Sequence, residues 1–122
     1  MTESRIEPPS DSPYGILTPT EGTDKAIVTV GEYCDAPRTA EDERILEQLL
    51  KARSRVVVDL SRTVVMTSEW FHLWARLTAK AKGMGKILGI VGLSMALKKT
   101  ADYLGVSRVL QVFSSVDEVW KE

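Results

Sequence analysis

Two short apolar runs limit what this chain can fold into: Arg55–Leu60 (RVVVDL) and Lys86–Leu93 (KILGIVGL). The first is continuously apolar and β-branched until Asp59, as expected of a central strand covered on both faces, and the second reads the same way. Each run is followed by a helical pattern. From about Ser68 to Lys82, Leu73, Leu77 and Ala81 recur every four residues, Phe71 and Trp74 widen that stripe, and Gly83-Met84-Gly85 stops it. After Ser94, Leu97, Ala101 and Leu104 share one face, with Gly105 as the C-terminal stop. Strands alternating with amphipathic helices imply a mainly parallel sheet joined by right-handed crossovers.

The flanking segments extend the pattern. Tyr14 to Thr20 is expected to be an edge strand, because Pro19 is tolerable only on an edge. The turn formers Glu21 to Asp24 lead into Lys25–Val30 (KAIVTV), so these two segments read as an antiparallel hairpin. Pro37 precedes a helix from about Thr39 to Arg53, with Ile45, Leu46, Leu49 and Leu50 as its apolar stripe. Val109 to Phe113 reads as a short strand, and Ser115 with Glu118 opens a last helix that buries Val116, Val119 and Trp120. The expected order is β-β-α-β-α-β-α-β-α. Residues 14–122 are thus expected to form one α/β domain, an open sheet of four to five mostly parallel strands with about four helices packed on it. Residues 1–13, polar and rich in Pro and Ser, are expected to be a disordered lead-in.

Several function classes lose support at once. Sixteen Lys and Arg against seventeen Asp and Glu leave no basic surplus, which argues against nucleic acid as a main partner. The lead-in has no signal-peptide apolar run, and Ile87 to Leu93, the longest apolar stretch, is too short to insert in a membrane. A cytoplasmic address is therefore expected. Cys34 is the single cysteine and His72 the single histidine, so no His-based triad and no thiol- or imidazole-rich metal site can be assembled. Cys34 is expected to be a buried structural thiol, since no His, Lys or Arg beside it would lower its pKa. His72 reads as a surface or half-buried residue. Lys82-Gly83-Met84-Gly85-Lys86 precedes a strand, whereas a phosphate loop must precede a helix. Glu41, Asp42 and Glu43 fall in the first turn of a helix, where they complement the macrodipole. No catalytic residue, metal or cofactor is expected.

One segment stands apart: Ser61 to Met66, then Thr67-Ser68-Glu69-Trp70 opening a helix. Thr67 or Ser68 suits the N-cap, where a hydroxyl accepts a backbone N–H bond. The same position would stabilise a phosphate on Ser68 through the free N–H groups of the first turn.

These residues resemble a known family, the STAS domain of sulphate transporters and anti-sigma factor antagonists, over roughly Lys25 to Glu122. Gly31-Glu32-Tyr33-Cys34-Asp35 is similar to the family's G-E-L-D, and Val56 to Ser61 (VVVDLS) to its central V-V-L-D-L-S strand. Thr67-Ser68-Glu69-Trp70-Phe71 falls where the family carries D-S-S-G-L. Lys86 to Gly92, Leu104-Gly105-Val106 and Val109 to Phe113 resemble its closing blocks. The resemblance implies a regulatory module that binds another protein, an anti-sigma factor or serine kinase-like protein, and is switched by phosphorylation at the second serine of the motif. Here Glu69 holds that acceptor position, which would fix the switch in one state, and Ser68 is the fallback phosphoacceptor. Trp70 replaces the glycine; it either anchors a partner or packs beside Trp74 on its own domain. The expected partner interface is Thr67, Ser68, Glu69 and Trp70. The alternatives are a STAS subunit of a transport or stress-signalling complex, and a sensor of a small anionic ligand or nucleotide.

Overall fold

Val56, Val57 and Val58 are all buried, so the strand that carries them is covered on both faces. In the computed structural model, which describes residues 13–17, 24–35 and 39–122, that strand is β4 (Arg55–Asp59). The other strands are β1 (Tyr14–Leu17), β2 (Lys25–Val30), β3 (Tyr33–Cys34), β5 (Val65–Met66), β6 (Ile87–Val91) and β7 (Gln111–Val112). The helices are α1 (Thr39–Ala52), α2 (Ser68–Gly83), α3 (Met95–Leu104) and α4 (Val116–Lys121). The main sheet has the order β1-β2-β4-β6-β7. Only β1 against β2 is antiparallel, with Tyr14 opposite Val30, and the other three pairings are parallel. The α/β class, the hairpin and the mostly parallel sheet with four helices are as the sequence predicts.

The two faces of the sheet are unequal. On one, Ala26, Val28, Val56, Val58, Leu88 and Ile90 meet Leu46, Leu49 and Leu50 of α1, the apolar stripe of α2, and Leu97 and Ala101 of α3. On the other, Val57 and Val91 meet Val119 of α4, with Phe113, Val116 and Trp120 around them. Gly89 lets α4 lie this close: a Cβ there would stand 2.8 Å from side-chain atoms of Phe113 and Val119. Across the helical layer, Glu43 and Glu47 of α1 hold Arg76 and Lys80 of α2. Glu43 lies 3.0 Å from each cation, and Lys80 Nζ lies 3.1 Å from Glu47. The hydrogen bond from Arg76 is the main reason the Glu43 carboxyl stays below its ordinary pKa, and the bond to Glu43 raises Lys80.

Local caps follow the sequence. Ser94 Oγ accepts from Leu97 N at 3.1 Å, and Gly105 closes α3 in the left-handed region at φ 77°. Ser115 Oγ accepts from Glu118 N, but the Glu118 carboxylate accepts from the N–H and hydroxyl of Ser114, one residue before the cap.

Two expectations need correction. The strand expected over Val109 to Phe113 shrinks to Gln111–Val112, because Val109 N and Leu110 N donate to Val106 O and make a turn there. The order also gains two strands, β3 and β5, which form a separate two-stranded parallel sheet. The expected disorder of residues 1–12, the strand beyond Leu17, the turn residues 21–23 and Pro37 lie outside the described residues.

Candidate partner-binding corner

The chain leaves β4 at Asp59 and turns immediately. Asp59 Oδ1 accepts from Ser61 N at 2.9 Å, holding the turn from the side-chain side. Gly92, at φ 74°, lets the end of β6 press against this turn; a Cβ there would lie 2.6 Å from Ser61 N. Thr63 is buried, and its hydroxyl reaches Val30 O. β5 then pairs with β3, Tyr33 beside Val65 and Cys34 beside Met66. Val64 N and Val65 N both donate to Glu32 O, and Thr67 N donates to Cys34 O at 3.0 Å. Strand alternation sorts the ribbon: Cys34 and Met66 point into the core, while Tyr33 and Val65 point outward, with Val64 beside them also exposed.

The ribbon delivers the chain to α2 in a fixed orientation. Thr67 occupies the N-cap position with extended backbone, and its carbonyl accepts from Trp70 N and Phe71 N. Its hydroxyl does not cap the helix as expected: Thr67 Oγ1 is buried and has no hydrogen-bond partner among the described residues. Ser68 and Glu69 are exposed, while Thr67 is half-buried. His72 is exposed as well, and its Nδ1–H donates to Ser68 O at 2.9 Å.

Trp70 corrects the expected interface. Its side chain is 0% exposed, so the indole cannot serve as a docking anchor in this conformation. Trp70 begins the buried face of α2 that continues through Phe71, Leu73, Trp74 and Leu77. Its ring meets Trp74 at 5.2 Å and Tyr14 edge-on at 5.7 Å, and its Nε1–H donates to Asp35 O. The Tyr14 hydroxyl in turn lies 3.1 Å from Asp42 Oδ1. The second of the two sequence readings, packing beside Trp74, is the observed one.

Cys34 is 0% exposed, and burial, with the charges of Asp35 and Asp42, pushes its thiol up to about 12. A thiol held that high is protonated and unreactive at neutral pH. Among the described residues no group of three or more His, Cys, Asp and Glu is placed to hold a metal, and no helix is long and apolar enough to cross a membrane. A shallow cleft of about 590 Å³ beside the loop is lined by Gly15, Thr29, Gly31, Asp59, Ser61 and Arg62, with Pro13, Tyr14 and Val30. None of Thr67 to Trp70 lines it, so the loop cleft and the helix start are separate places. Sequence reading missed Tyr33, Val64 and Val65 as surface residues of the corner. The available signal was an apolar triplet, Val64-Val65-Met66, inside what otherwise reads as a loop.

No protein-family model and no curated protein matches this sequence. Solved structures do. The anti-sigma factor antagonist SpoIIAA in its unphosphorylated form superposes with a TM-score of 0.71 at 9% identity, covering 88% of this chain and 94% of that one. RsbS of Moorella thermoacetica, solved with a serine replaced by glutamate, gives 0.71 at 17% identity over 92% of this chain and 97% of its own. TM1081 of Thermotoga maritima, described as a candidate anti-sigma factor antagonist, gives 0.70 at 12% identity over 92% and 93%. This chain therefore has the STAS fold, shared with the anti-sigma factor antagonists, as its five-stranded sheet and four helices indicate.

Proposed function

We propose that this chain is a regulatory protein-binding module of the anti-sigma factor antagonist type, which docks on an anti-sigma factor or serine kinase-like protein through the start of α2. One observation carries the reading: Ser68 and Glu69 stand exposed beside three exposed apolar side chains, Tyr33 at 65%, Val64 at 64% and Val65 at 46%. Apolar side chains grouped on a small domain and bordered by polar ones are the usual composition of a docking surface. The interface thus comprises Thr67, Ser68 and Glu69 with the β3–β5 ribbon, and Trp70 supports it from beneath.

Glu69 keeps a negative charge at the helix start, where the macrodipole favours it. A phosphate on Ser68 would add about −1.5 to −2 charge at the same place, enough to alter docking on a charged surface. Peptide mapping by tandem mass spectrometry of the chain isolated from its host decides whether Ser68 takes that phosphate.

The docking reading is tested by capture from the native lysate, with quantitative mass spectrometry comparing the unaltered chain and Glu69→Arg. A kinase-like or sigma-binding protein should be enriched by the first and lost with the second, while circular dichroism of the two remains the same. Equal recovery of that protein by both chains would overturn the reading.

A further inference from the structure

Three exposed carboxylates flank the apolar ribbon: Glu32 and Asp35 bracket β3, and Glu69 follows Ser68 on α2. Among the described residues none of the three is ion-paired, whereas Glu43 and Glu47 of α1 hold two cations between them. Arg62 lies just before Val64 on the cleft side, and the Nδ1–H of His72 is turned to the Ser68 carbonyl. The charge of Asp35 is already felt inward, where it helps to raise the Cys34 thiol.

An isolated domain gains nothing from leaving these apolar side chains in water, and of the three carboxylates only Glu69 is favoured by its place at a helix start. Each is understandable if something covers the first and balances the second. We infer that this face receives a protein partner whose own apolar contact is rimmed by Lys and Arg. Complementary rim charges raise the association rate and reject partners of the same sign, while the apolar centre supplies the lasting contact. By the same argument a nucleotide, free phosphate or nucleic acid is disfavoured here, since each brings negative charge to three carboxylates. This inference rests on the docking reading above and adds the chemistry of the partner.

The test uses the full chain carrying the photocrosslinker p-benzoylphenylalanine in place of Val64, irradiated in native lysate, with the crosslinked peptides identified by mass spectrometry. The same substitution at Tyr103, which is 89% exposed on α3, serves as the control. The crosslinked segment should be rich in Lys and Arg and should be absent from the control. Binding of the identified partner, purified, should then weaken with added salt. The double variant Glu32→Lys, Glu69→Lys should slow its association about tenfold at low ionic strength and flatten the salt dependence. If the partner crosslinks at position 64 but its segment is acidic, or its binding ignores both salt and charge reversal, this inference fails and the docking reading stands. If no protein crosslinks at position 64 in any growth condition, both fail.

Discussion

The indole N–H of Trp70 donates to the backbone carbonyl of Asp35, tying the first turn of α2 to the end of β3. Through this bond, and the edge-on contact of Trp70 with Tyr14, three separate stretches of chain meet beneath Ser68 and Glu69. The exposed corner is therefore fixed from below, and its geometry depends on a residue that is itself fully buried.

Trp70→Ala is expected to act on stability first. Emptying a fully buried indole site costs about 3–5 kcal/mol, large against the stability of a small domain. Trp70→Phe keeps most of the packing, loses the bond to Asp35, and should cost about 1–2 kcal/mol. Urea unfolding followed by circular dichroism measures both. A Trp70→Ala protein as stable as the unaltered chain would contradict the buried position.

Gly89→Ala should destabilise by about 1–3 kcal/mol, because the new methyl group must displace Phe113 or Val119. Its effect should concentrate on α4. Hydrogen exchange of the α4 amides is the appropriate measurement, and exchange unchanged there would show that α4 does not pack on Gly89.

The link between α1 and α2 should show itself in acid. Glu43 titrates below its ordinary value when folded, chiefly through the bond from Arg76, so the folded state binds its proton less readily than the unfolded chain. Its contribution is complete above the ordinary carboxylate value and is lost as pH falls through the lowered folded value. Because Arg76 and Lys80 are 45% and 39% exposed, solvent screening keeps that contribution under about 1 kcal/mol. Melting temperatures of the unaltered chain and Glu43→Gln should differ near neutrality and converge in strong acid. A constant difference across that range would count against the ion pairs.

Cys34 should resist thiol reagents in the native state. With burial pushing its thiol up to about 12, very little of it is thiolate at pH 8, and the sulfur is shielded as well. Labelling by a disulfide reagent should be complete in urea and very slow without it. Rapid labelling of the folded chain would mean that the β3–β5 ribbon opens readily.

The local features were legible in the sequence because they depend on neighbours in the chain. The valines of β4, the four-residue spacing of α2, the Ser94 cap and the Gly105 stop each follow from periodicity or from a conformation that few residues adopt. Alternation of strands and helices was then enough to give the parallel sheet. The position of Ser68 and Glu69 at an exposed helix start was equally readable, since it lies opposite the apolar stripe.

What the tertiary structure alone decided is the character of the corner. A two-residue strand has no period to detect, so the pairing of Tyr33–Cys34 with Val65–Met66 exists only because the folded sheet brings segments over thirty residues apart into register. Trp70 sits at the edge of its helix's stripe, where spacing permits either direction. The direction was set by an acceptor on Asp35 and an edge-on ring contact with Tyr14, both supplied by distant parts of the chain. Short-range order is encoded residue by residue, whereas the exposure of a boundary residue depends on which partners the fold places against it.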